Sequence, residues 1–124
     1  MFVKLFTLLD KERNFGKKLE DDLNELSNEF HLEDIRYNVK INDEGICEYS
    51  ALVFFSEKHR TEYGYKMVTA FNPDEFNELL ENYLCGKEEF STNRFFSPSF
   101  IKFSSDRNSS GKQVYSSLIT ILRE

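Results

Sequence analysis

Two alternating runs on either side of a short turn constrain this chain more than any other feature. Ile35, Tyr37, Val39 and Ile41 fall on one face, and Arg36, Asn38 and Lys40 fall on the other. A period of two is the mark of a half-buried strand. Asn42-Asp43-Glu44-Gly45 is a turn cluster. Alternation resumes with Cys47, Tyr49, Ala51, Val53 and Phe55, while Leu52 and Phe54 make the end of the run apolar on both sides. The pair predicts a β-hairpin over 34–55. A hairpin with one apolar face cannot stand alone, so the remainder of the chain must cover it.

Two helices are available for that. Leu19, Leu23, Leu26 and Phe30 form one stripe at helical spacing, with Asn14 as the expected N-cap. The opposite face carries Glu20, Asp21, Asp22, Glu25 and Glu29. The second helix begins with Asn72 as cap, Pro73 in the first position and Glu75 in the third. Phe76, Leu79, Leu80, Tyr83 and Leu84 make its stripe, and Gly86 stops it. Further strands are predicted over residues 2–9, 63–71, 100–103 and 114–122. The first, apolar on both faces, reads as an interior strand. Residues 56–62 and 104–112 read as polar loops. The order β-α-β-β-(β)-α-β-β predicts one α+β domain over residues 1–124, a single antiparallel sheet with two helices packed on it.

The 124 residues include 13 Phe and 6 Tyr, an aromatic surplus for one small core. Phe2, Phe6, Phe15, Phe30, Phe54, Phe55, Phe71 and Phe76 are assigned to that core. Phe90, Phe95, Phe96, Phe100 and Phe103 remain, and they suit a subunit interface or a stacking platform. A homodimer or larger homo-oligomer is therefore expected.

Net charge is −6, which disfavours coating of polymeric nucleic acid. The charge is uneven. Residues 91–123 hold Arg94, Lys102, Arg107, Lys112 and Arg123 against Asp106 alone, a local +4, so the rest carries −10. A local anion site in an acidic protein admits small anions and repels polymers. Arg94, Arg107 and Lys112 are the candidate phosphate ligands, with Asn93 beside them. Phe95, Phe96 and Tyr83 are the candidate stacking groups. Ser and Gly in the 104–112 loop would let backbone N–H groups approach an anion. The plainer reading of that loop is a flexible, solvated hairpin connection. Lys58-His59-Arg60 is a second small basic cluster, most simply solvated.

Catalysis finds little support in the sequence. Cys47 and Cys85 read as core thiols, and with His31 and His59 they make no metal spacing. There is no P-loop. Asp21-Asp22 and Glu88-Glu89 read as solvated faces. No cofactor or metal is expected. Nor does any apolar run reach the ~20 residues of a membrane helix. The start, Met1 to Phe6, is soon interrupted by Asp10, Lys11 and Glu12, which does not suit a signal peptide. The expected location is the cytoplasm, or the host cytoplasm for a phage protein.

Val3-Lys4-Leu5-Phe6, Leu19-Glu20-Asp21-Asp22-Leu23-Asn24, Asp34-Ile35-Arg36-Tyr37-Asn38-Val39 and Tyr49-Ser50-Ala51-Leu52-Val53-Phe54 together resemble the short sporulation-protein family of spore-forming Firmicutes. The resemblance covers residues 2–57. It implies a β-α-β-β unit and a Firmicute or Firmicute-phage origin, and it carries no biochemical role. The chain after residue 58 departs from that pattern. In size and in its basic loop between terminal strands, the chain is also similar to phage anti-Thoeris proteins, non-catalytic oligomeric sponges for nucleotide second messengers. No binding residue is carried over from them. The expected function is thus sequestration of a small nucleotide-like signal as an anti-defence sponge. The alternative is a protein-interaction module, either an inhibitor of a host enzyme or a sporulation-associated adaptor, using the acidic first half. A hydrolase of signalling nucleotides is the third reading, and it lacks a recognisable acid, base or metal set.

Overall fold

A computed structural model describes residues 1–27, 29–57, 63–84, 94–95 and 101–123. Its elements are β1 (Phe2–Leu9), α1 (Lys17–Ser27), β2 (His31–Ile41), β3 (Cys47–Ser56), β4 (Tyr63–Ala70), α2 (Pro73–Leu84), β5 (Arg94–Phe95), β6 (Ile101–Arg107) and β7 (Gln113–Arg123). The α+β class holds. The single sheet does not, because the strands form two antiparallel sheets, and the short β5 is an extra element.

The first sheet has the order β1-β3-β2. The predicted hairpin is its spine, pairing Ile41 with Cys47 and Ile35 with Val53. Within its turn, the Asn42 side chain accepts from the Glu44 and Ile46 amides at 3.0 and 2.9 Å. In the second sheet β7 is flanked by β4 on one side and by β5 and β6 on the other.

Alternation along β7 decides the layering. Val114 and Leu118 join the cluster made by Leu19, Leu23, Ile35, Val39, Tyr49 and Val53, so this face meets α1 and the first sheet. Ile119 and Ile121 point the other way, to Phe76 of α2. A buried polar chain crosses between the sheets. The Tyr37 hydroxyl lies 2.6 Å from Ser116 Oγ, Ser116 lies 2.9 Å from Thr69, and the Tyr49 hydroxyl donates to Thr69 at 3.4 Å. Burial pushes both tyrosines well above the usual phenol range, so they stay neutral.

The edges of the sheets meet at β2 and β6. Ser104 Oγ accepts from the Val39 amide at 3.0 Å, and the Asp106 carboxylate accepts from the Ile41 amide at 2.8 Å. Two side chains spaced by two residues thus satisfy two edge amides spaced by two residues. This explains why Ser104 to Arg107, read as loop from their polarity, are strand.

Several local expectations shift. The first helix starts at Lys17, beyond the predicted Asn14 cap, because Arg13, Phe15 and Gly16 have φ of 55°, 58° and 82°. The strand β2 opens at His31, earlier than the predicted start at residue 34. The expected core position of Phe2 and Phe15 fails, since both are exposed. Nor is β1 an interior strand. Among the described residues it pairs only with β3, and Val3 and Leu5 are 55% and 60% exposed. Among the described residues no helix is long and apolar enough to cross a membrane.

Candidate functional site

The site begins with a strained loop. After β1, the chain turns through residues 10–16 to reach α1. Asp10 is buried, and its carboxylate accepts from the Asn14 and Phe15 amides at 3.2 and 3.0 Å. Its own amide donates to the Cys47 carbonyl at 2.8 Å. The anchored carboxylate holds Arg13 and Phe15 in the left-handed region, at a cost of about 1–2 kcal/mol for each non-glycine residue. That conformation turns the Phe15 ring outward, and half of the residue is exposed.

Phe15 is the partition between two clefts. The smaller, of about 130 Å³, is lined by Asp10, Arg13, Phe15, Gly45, Cys47, Tyr49, Phe71 and Lys112. The larger, of about 330 Å³, includes Asn14, Phe15, Lys17, Glu20, Lys66 and Tyr83. Phe15 and Phe71 lie 6.4 Å apart at 52°. The Lys112 ammonium sits 4.8 Å from the Phe71 ring centre, and the Lys66 ammonium 4.9 Å from that of Tyr83. Four cations and four rings therefore gather about one loop. Glu20 is already engaged, accepting from the Met67 amide at 3.0 Å and from Lys17 at 3.2 Å.

Cys47 lines the smaller cleft. Burial pushes its thiol upward, and a hydrogen bond to Tyr49 offsets this only in part. A protonated thiol is a poor nucleophile. Among the described residues no group of three or more His, Cys, Asp or Glu could hold a metal. No known protein family, curated protein or solved structure matches this chain.

The predicted site residues separate. Lys112 and Tyr83 reach the two clefts on either side of Phe15. Arg107 is exposed at the end of β6, opposite Gln113, and lines neither cleft. Arg94 and Phe95 form β5, paired with Arg123 and Leu122. Asn93 and Phe96 lie outside the described residues, as do Cys85, Phe90, Phe100, His59 and the Lys58–Arg60 and Glu88–Glu89 clusters.

The backbone of the loop after β6 is not an anion cradle. The Ser110 and Lys112 amides donate to the Asn108 side chain, the Gly111 amide to the Asn108 carbonyl, and the Ser109 amide to Asp43. Its donors are spent on holding the loop against the β2–β3 turn, where Asn108 also donates to the Asn42 carbonyl at 2.9 Å. The loop is therefore neither a bare solvated connection nor a nest. It is a mount for the Lys112 side chain. Sequence reasoning passes over Arg13 because the run from Asp10 to Asn14 is uniformly polar, and over Phe15 because it is assigned to the core. An isolated aromatic followed by glycine, Phe15-Gly16, was the available signal.

Proposed function

We propose that this protein is a non-catalytic binder of a small, flat, anionic ligand of nucleotide type, held in the clefts on either side of Phe15. One observation carries the reading: Arg13 and Lys112 share a cleft with Phe15 and Phe71. Cations supply charge-assisted hydrogen bonds to phosphate, and stacking of a base on an aromatic ring contributes about 1–3 kcal/mol. The larger cleft, with Lys17, Lys66 and Tyr83, gives room for the rest of such a molecule. The role this reading assigns is sequestration of a nucleotide signal, as a phage or Firmicute counter-defence sponge acting in the cytoplasm as a homo-oligomer.

The test is a thermal-shift panel of cyclic dinucleotides and ADP-ribose derivatives against the protein and its Arg13→Ala/Lys112→Ala variant. A bound ligand raises the midpoint by more than about 2 °C at high excess, and the variant loses that rise. A panel without any shift would sink the proposal. Turnover of a ligand would replace it with the hydrolase reading. The protein-interaction reading has its own support in the exposed apolar side chains of β1.

A further inference from the structure

The two edges of the first sheet are treated differently. On the β2 side, Ser104 and Asp106 occupy the Val39 and Ile41 amides. On the β1 side, nothing among the described residues pairs with the outer edge. Yet β1 has the features of a strand that receives a partner. Its eight residues run in unbroken register against β3, from Phe2 opposite Phe55 to Leu9 opposite Glu48, without a bulge or a proline. Bulges, prolines and charged side chains are the usual means of blunting an exposed edge, and β1 carries a single such charge, Lys4.

A groove of about 550 Å³ runs along this edge, between Lys4, Leu5, Phe6 and Thr7 on one side and Asp22, Glu25 and Leu26 of α1 with Glu29 beyond it on the other. No ion pair among the described residues closes on Asp22, Glu25 or Glu29. From Asp22 to Glu25 the helical rise is roughly 5 Å, and Glu29 follows beyond the end of α1. Alternate residues of a strand are roughly 7 Å apart, so successive same-face side chains of an added strand pass beneath this row of carboxylates. The other face of that strand would continue a different surface. Val3 and Leu5 stand beside Phe54 and Leu52, which are half-buried, on the side away from α1.

We propose that the outer edge of β1 is a strand-addition site for an extended segment of another protein, with basic side chains at alternate positions facing α1 and apolar ones between them. Backbone hydrogen bonds to β1 supply affinity and the two faces supply selectivity. A second copy of β1 fits less well. It offers Lys4 alone to the carboxylates, and a two-fold pairing would bring two acidic α1 helices together.

The experiment uses the intact protein and fluorescent octapeptides: alternating Lys/Val, alternating Glu/Val, and Lys/Val carrying N-methyl groups on alternate residues of the edge facing β1. The Lys/Val peptide is expected to bind, with Asp22→Lys/Glu25→Lys weakening it by about tenfold or more through reversal of two charges. The Glu/Val and N-methylated peptides are expected to lose binding. Equal binding of the N-methylated peptide would overturn the proposal in favour of plain charge attraction. No binding at millimolar peptide would overturn it outright. So would a dimer abolished by Leu5→Lys, which would assign the edge to a second copy.

Discussion

Replacing Asp106 with alanine removes the acceptor that seals one end of the β2 edge. Ile41 is buried, and its amide has the Asp106 carboxylate at 2.8 Å. A hydrogen bond to a charged group contributes about 1.5–3 kcal/mol, and the abandoned N–H is left on a strand edge with poor access to water. The neighbouring Ser104 bond to Val39, at 3.0 Å, joins neutral groups and is worth about 0.5–1.5 kcal/mol. Asp106→Ala should therefore cost about 2 kcal/mol, Ser104→Ala about 1, and Asp106→Asn under about 1, because the amide oxygen still accepts. For a domain of this size each kcal/mol moves the melting midpoint by roughly 3–6 °C. Urea unfolding gives the free energies, and amide exchange of Ile41 reports the edge directly. A loss within about 0.5 kcal/mol for Asp106→Ala, with Ile41 exchange unchanged, would refute the idea that these side chains hold the two sheets together.

Other outcomes follow from the same structure. Leu118 and Leu23 are fully buried where the sheets and α1 meet, so truncating either to alanine should cost about 2–5 kcal/mol by urea unfolding. At Gly16, φ is +82° and an added Cβ would lie 2.7 Å from Met67 Cε. Gly16→Ala should destabilise by about 1–2 kcal/mol and weaken any ligand response of the Phe15 clefts. Asp34 is held below its ordinary value of 3.8, first by the Ile35 amide and then by Arg36 and Lys102. A depressed carboxyl adds stability above its unfolded pKa and loses it as pH falls through the folded value. Asp34→Asn should therefore reduce stability at neutral pH and flatten its fall below about pH 4, as read by urea midpoints against pH.

What was legible in the sequence was local. The 34–55 hairpin and the Asn72-Pro73-Asp74-Glu75 start of α2 depend on residues within a few positions of each other. In α2 the Glu75 amide indeed donates to Asn72 at 2.8 Å. The division into two sheets was hidden because it rests on pairings such as Tyr65 with Thr120 and Lys102 with Leu118, distant in sequence and carried by ordinary apolar alternation. The strand character of β6 was hidden for a chemical reason. Ser104 and Asp106 are polar because their task is to bond to the first sheet, so hydrophobic periodicity passes over them. Charge and aromaticity single out Lys112 and Tyr83, which line the two clefts. They do not single out Arg13 and Phe15, since only the left-handed backbone fixed by Asp10 turns a polar break into the wall of a cleft.

The most direct test of the central claim is a backbone-amide NMR titration of the intact protein with an ADP-ribose derivative or cyclic dinucleotide chosen by thermal shift. Binding at the Phe15 clefts predicts saturable changes at Phe15, Gly16, Gly45, Phe71 and Lys112, with β1 and β6 unaffected. Unmoved signals at these residues under ligand excess, or changes confined to the β1 edge, would contradict it.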